Sequence, residues 1–256
     1  RLRADGLDAA RARAALAVPA PEVERVGGSG GGGEGVALLG SLFTYLTILT
    51  FGYIVAYGVV EEKSSRVVEV VLAAIRPVQL LAGKTLGIGV VGLMQVVAVA
   101  GVGLAASAAI GGTGLPDTTA ATAGVVALYF VLGYAFYSFA FAAAASLVSR
   151  QEDVQNTSAP LALVLVGGYL ASLAVIGDPH STLATAGALV PPLAPMFVPV
   201  LAARDALGPA ELGLSLALMA VAIWLMAVGA GRVYARTILR TGAPVRLREA
   251  LRGGRA

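Results

Sequence analysis

The chain has 256 residues, 57% of them hydrophobic before glycine is counted and 13% charged, with a net charge of +3. An ordinary soluble domain is about 45–50% apolar with glycine included and about a quarter charged, so the composition argues against a water-soluble globular enzyme. It argues equally against disorder, which needs low hydrophobicity and high charge.

Residues 1–35 come first. They hold Arg1, Arg3, Arg11, Arg13 and Arg25 and end in a glycine run, Gly27 to Gly33, broken only by Ser29. That run has the composition of a flexible linker. Five stretches without a charged residue follow: 36–60, 86–110, 123–148, 160–176 and 212–231. A bilayer core of about 30 Å needs about 20 apolar residues in a helix. Four stretches are long enough, and 160–176 is at the short limit. Only helices and closed barrels satisfy their backbone polar groups in lipid. These runs are too long and too continuously apolar for barrel strands. The expected fold class is an all-α integral membrane protein with five transmembrane helices spread over 36–231.

Between the first two spans lies the segment from Glu61 to Arg76. Val68, Val71, Leu72 and Ile75 follow i, i+3, i+4, i+7 and share one helical face. Glu62, Arg66 and Glu69 form the opposite face, and Glu62 with Arg66 is a favourable i,i+4 pair. Pro77 ends the helix or starts the next one. The segment reads as a short amphipathic helix over 61–76. A helix lying on lipid has a Lys/Arg-rich polar face. Here three Glu oppose Lys63 and Arg66, and the apolar face has no Trp or Phe, so a protein partner suits it better.

Two motifs next in line look like nucleotide sites. Gly83-Lys84-Thr85 resembles the end of a phosphate-binding loop, but Val78 stands where the first glycine is required and no strand precedes it. Gly87, Gly89 and Gly92 match the dinucleotide fingerprint, yet they open a charge-free run whose next acid is Asp117. Small residues let membrane helices approach closely, so Gly87, Gly89 and Gly92, with Gly83 and Gly87 as a GxxxG step, are expected to pack against a neighbour. Arg150, Gln151, Glu152 and Asp153 form a short polar loop between the third and fourth runs. In 177–211, Pro191, Pro192, Pro195 and Pro199 interrupt an apolar stretch, which forbids one straight helix. Backbone of that kind is tolerated at membrane depth where protein surrounds it, so the stretch reads either as a re-entrant gate containing Pro191, Pro192, Pro195 and Phe197 or as a surface loop. His180, the one histidine, sits beside Asp178 and reads as a loop residue. With no cysteine and a single histidine, no metal site and no catalytic set is expected.

Polar residues inside the spans are few. Thr47, Tyr53, Gln95 and Tyr137 are candidates for lining a pathway, and interhelical hydrogen bonding is the alternative use of such groups. The spans hold no charge, so an ion relay built from ionisable residues is unsupported.

Positive charge marks the cytoplasmic side. Segment 61–85 carries Lys63, Arg66, Arg76 and Lys84, loop 149–159 carries Arg150, and the tail 232–256 carries seven arginines. Loop 111–122 carries none and 177–211 only Arg204. The C-terminus is therefore expected to be cytoplasmic and residues 1–35 external. The first residue is Arg, and no signal-peptide core is visible. The expectation is a chain without an upstream membrane helix and with only the end of an external domain.

Glu61 to Leu72, then Arg76-Pro77, Gln79-Leu80-Leu81 and Gly83-Lys84, resembles the signature of type-two ABC transporter permeases, in their sodium-efflux-permease-like branch. Arg150 to Asn156 before Ser158 and Pro160 is similar to that family's second cytoplasmic loop, and Pro191 to Phe197 to its re-entrant segment. The resemblance covers roughly 36–240. It implies helices two to six of a six-helix exporter permease, with 61–76 as the coupling helix that docks on a separate ATPase subunit. Val68, Val71, Leu72 and Ile75 would form the apolar dock, and Glu61, Glu62, Lys63, Ser65, Arg66 and Glu69 its polar register. ATP and Mg would belong to that ATPase and not to this chain. The implied partners are the ATPase, a second permease chain of the same or another kind, and the bilayer of the cell membrane; no nucleic acid is implied. A stand-alone secondary transporter would instead need inverted repeats and midplane ionisable residues. A non-transporting membrane scaffold is the third reading.

Overall fold

The computed structural model describes residues 31–65, 74–109 and 120–238, and every regular element among them is a helix. In chain order these are α1 (Gly31–Ser64), α2 (Pro77–Ala109), α3 (Ala120–Ser146), α4 (Gln151–Ala174), α5 (Thr182–Leu189), α6 (Ala194–Ala203) and α7 (Pro209–Thr237). Five are long and apolar enough to cross a membrane, over Leu38–Ser64, Gln79–Ala98, Gly124–Ser146, Gln151–Ala174 and Pro209–Thr237. The chain thus has the all-α membrane fold that its charge gaps imply.

Helix α1 has 34 residues. At about 1.5 Å per residue it is about 51 Å long, well beyond a hydrocarbon core of about 30 Å. This corrects the expected start of the amphipathic helix. Glu61 to Ser64 are the last turn of α1, and Ser65 still donates its N–H to the Glu61 carbonyl at 3.0 Å. The physical reason is that no proline or glycine stands between Val60 and Ser64 to interrupt the ladder. Helix α2 begins at Pro77, whose missing N–H costs nothing at a first helical position. The Arg76 N–H in front of it is taken by Gln79 Oε1 at 2.9 Å.

The short run 160–176 gains its length at its front. Arg150 is extended, and Glu152 and Asp153 lie in the first turn of α4, where the positive end of the helix dipole favours them. The other starts are capped in recognisable ways. Ser181 Oγ accepts from the Ala184 N–H at 3.3 Å before α5, and Glu211 Oε2 accepts from the Gly208 N–H at 3.3 Å before α7.

Helix α3 is the centre of the bundle. Its Tyr129, Phe130, Tyr134, Phe136, Tyr137 and Phe141 are buried. Phe141 meets Tyr53 of α1 edge to face at 5.1 Å between ring centroids, and Tyr134 meets Phe51 at 6.5 Å. Helices α2 and α7 show the opposite pattern. Leu86, Met94 and Val97 on α2 and Trp224 on α7 are each more than 60% exposed, which suits contact with lipid and not with water.

Candidate functional site

Three helix ends converge at one end of the bundle. Lys63, in the last turn of α1, is only 1% exposed, and its ammonium donates to the Ser146 carbonyl at the end of α3 at 2.9 Å. The Thr237 hydroxyl at the end of α7 lies 3.0 Å from Ser146 Oγ. A C-terminal carbonyl has no partner within its own helix and carries the negative end of the dipole, so a buried cation is well matched to it. Next to this knot, Lys84 of α2 pairs with Glu62 Oε1 at 2.8 Å. Glu62 Oε2 is buried and has no hydrogen-bond partner. An open groove of ≈ 460 Å³ runs beside the pair, walled by Ile75, Leu80 and Ile88.

These contacts sort the residues expected to form the coupling helix. Lys63 is turned inward and held by Ser146, which corrects its assignment to an outward docking face. Glu62 is occupied by Lys84, while Glu61, Ser65 and Ile75 are exposed. Arg66, Val68, Glu69, Val71 and Leu72 lie outside the described residues. Arg150 pairs with Glu152 at 3.0 Å, both largely exposed, Gln151 is exposed beside them, and Asp153 is half-buried. Because Ser146 is four residues before Arg150, this loop lies at the same end as Lys63 and Thr237.

The proline-rich stretch forms a helical hairpin, α5 in and α6 out, with its turn at 190–193. Helix α6 is buried throughout from Ala194 to Leu201. Pro195 packs on Gly133, the central residue of α3, so closely that a Cβ there would come within 2.6 Å of Pro195 Cβ and 2.9 Å of Ile48 Cδ1. Phe197 occupies the space where a Cβ of Gly187 would stand, which closes α6 onto α5. Leu193 comes to 3.0 Å from the same position at Gly168 of α4. The turn therefore reaches the middle of α3 between α1 and α4. Beyond its own backbone bonds, two carbonyls of the hairpin are taken by side chains of the surrounding helices. Tyr137 donates to the Pro192 carbonyl at 2.7 Å, and Tyr129 donates at 2.8 Å to Ser215 Oγ, which donates onward to the Ala188 carbonyl. At the mouth of the hairpin, His180, Thr185, Asp205 and Glu211 are among the residues lining a cavity of ≈ 550 Å³. Among the described residues no group of His, Asp and Glu is arranged to hold a metal.

The four candidates for lining a pathway lie in different surroundings. Thr47 is buried, with its hydroxyl unpaired. Tyr53 stacks near Tyr57 and Phe141. Gln95 is exposed on α2. Tyr137 is buried and holds the hairpin, so its hydroxyl serves an interhelical bond and not an open passage. None of the four lines either cavity described above. The glycine expectation holds at two of its four positions. A Cβ at Gly83 or Gly87 would meet nothing within 4 Å, whereas Gly89 faces Tyr134 at 2.6 Å and Gly92 faces Phe51 at 3.3 Å. The same helix is closely packed, on the face two residues away. Ser146, Thr237, Tyr129 and Ser215 carry the key polar contacts and were not anticipated; the only sequence signal is a hydroxyl in an otherwise apolar run.

Residues 24–232 match the family described as ABC-2 family transporter protein. The chain is 30% identical over 220 residues to the uncharacterized protein YhaP of Bacillus subtilis, which covers 81% of this chain and 52% of that one. It is 30% identical over 179 residues to the uncharacterized protein MJ1024 of Methanocaldococcus jannaschii, covering 70% of this chain and 43% of that one. The chain thus spans about half the length of these curated relatives. No solved structure matches it.

Proposed function

The chain belongs to the ABC-2 transporter family, a family of membrane transport components, and from that premise we propose that it is the permease subunit of an exporter driven by a separate ATPase chain. The ATPase binds ATP and Mg and grips the stretch 61–76 together with the Arg150–Asp153 loop. Glu61, Ser65 and Ile75 belong to that contact, along with the apolar set Val68, Val71 and Leu72 and the charged Arg66 and Glu69 read from the sequence. A second permease chain completes the pathway. The end bearing Lys63, Ser146 and Thr237 faces the cytoplasm.

One observation carries the reading. The knot at Lys63, Ser146 and Thr237 gathers the ends of three helices, which lead to Arg66 and Arg76 after α1, to Arg150 after α3 and to the arginine tail after α7. A chain in which these three segments leave the bundle beside one another offers a soluble partner a single footing. The Arg-rich tail and the 61–85 segment then obey the positive-inside rule together.

Co-expression with the ATPase, followed by reconstitution in proteoliposomes, tests this. The ATPase should co-purify with the chain and hydrolyse ATP at a rate that depends on it. Arg66→Glu should leave insertion and co-purification intact and lower the transport obtained per ATP. An ATPase that neither binds the chain nor changes its hydrolysis rate overturns the proposal.

A further inference from the structure

We propose that α3 is the strut that carries a displacement from the Lys63 end of the molecule to the proline hairpin, with Lys63 and Tyr137 as positioning residues at its two attachments. The inference rests on the function proposed above and adds the route within the chain.

At one end, the buried Lys63 ammonium is bonded to the backbone of α3 at Ser146, and not to a side chain that could turn away. A push on the residues after Ser64 therefore acts on the α3 axis as well as on α1. Between the attachments α3 runs uninterrupted, as part of a helix of 27 residues with a closely packed aromatic core around it. Close-packed interiors transmit strain and do not absorb it. At the other attachment, Tyr137 holds the Pro192 carbonyl and Gly133 receives Pro195 without the clearance that a methyl group would need. Pro191 and Pro192 supply no N–H of their own; the Val190 carbonyl is satisfied within the turn by the Leu193 and Ala194 N–H groups, and the Pro192 carbonyl takes its donor from Tyr137 of α3. The Tyr129–Ser215–Ala188 relay ties the same hairpin to α7, whose far end returns to Ser146 through Thr237. Hairpin, α3 and α7 are thus linked at both ends, and Lys63 joins α1 to that unit.

The test uses the full chain with its ATPase in proteoliposomes. The sequence has no cysteine, so Val190→Cys, at the 43% exposed residue that begins the hairpin turn, introduces the sole thiol. Its labelling rate by a maleimide is measured with and without ATP and vanadate. Nucleotide trapping should change the rate severalfold in the parent. Lys63→Met and Tyr137→Phe should each remove most of that change while ATP hydrolysis continues. The double variant should lose no more than either alone, as expected for one shared route. Lys63→Arg, which keeps a donor at this position, should restore the change, a rescue that loss of packing alone does not predict. If Lys63→Met does not fold, Tyr137→Phe and Lys63→Arg decide the matter by the same readout. A full nucleotide-dependent change in Tyr137→Phe, or none in the parent while the ATPase responds to the chain, overturns the strut and leaves the proposed function standing. An ATPase indifferent to the chain overturns both.

Discussion

A methyl group added at Gly133 would stand 2.6 Å from Pro195 Cβ and 2.9 Å from Ile48 Cδ1. A proline ring cannot swing aside, so the strain must be taken up by the backbone of α6 or α3. Overpacking of this kind costs about 1–3 kcal/mol, against a gain of about 0.5–1 kcal/mol for replacing a helical glycine by alanine. Gly133→Ala should therefore lower the thermal midpoint in detergent. Gly83→Ala, facing open space, should leave it unchanged or raise it. Equal losses at the two positions would show that α6 is not seated on α3. Ser215→Ala makes a second case, because it leaves both the Tyr129 hydroxyl and the Ala188 carbonyl without their partner. A buried group so orphaned costs about 1–3 kcal/mol. Adding Tyr129→Phe should then cost less than it does in the parent, since the donor it removes is already stranded; additive losses in calorimetry would exclude the relay. These residues show where sequence reasoning stops. Small residues on α2 announce close packing, but spacing alone does not say which neighbour is near or that Gly89 and Gly92 are closely packed while Gly83 and Gly87 are not.

At the scale of the element, the legible features were those with a local cause. Charge gaps mark the spans because a charged group is costly in lipid, and prolines break 177–211 because they remove donors. The junction at Glu61 was not legible. A helix runs on until something stops it, and the sequence from Val60 to Ser64 holds no stop, so the span absorbed the first turn of the expected amphipathic helix. With that turn went Glu62, which pairs with Lys84, and Lys63, which is turned into the bundle. The pairing of Glu62 with Lys84, across the gap between α1 and α2, depends on how the helices lie together and could not be read from either alone. It predicts a non-additive result. Glu62→Lys should destabilise the α1–α2 contact by setting two cations together, and Lys84→Glu should do so with two carboxylates. The exchanged pair should recover much of the loss in thermal stability, and the recovery should shrink at high salt because both groups are partly exposed. Equal instability of the single and exchanged variants would show that the two charges do not meet in the folded chain.

For the whole molecule, packing and charge give independent accounts of which segments share a side. The Lys63, Ser146 and Thr237 contacts bring the ends of α1, α3 and α7 to one end of the bundle without reference to any membrane. The count of arginines and lysines, made without reference to any packing, groups the same three segments. Agreement between a steric and an electrostatic argument is the kind of consistency expected of a sequence that specifies one fold. The hairpin adds a parity condition. It enters and leaves from the same end, so α4 and α7 join across it as though it were a loop, and His180 at its mouth must lie opposite Glu61. The cysteine-free sequence makes this testable at single positions. Glu61→Cys and Arg150→Cys should react with an impermeant maleimide only in inside-out vesicles, and His180→Cys only in right-side-out ones. Reversal of all three would invert the chain in the membrane while keeping its packing. Glu61 and His180 reacting in the same compartment would mean that 177–211 crosses an odd number of times, and the seating of Pro195 against Gly133 could not then survive.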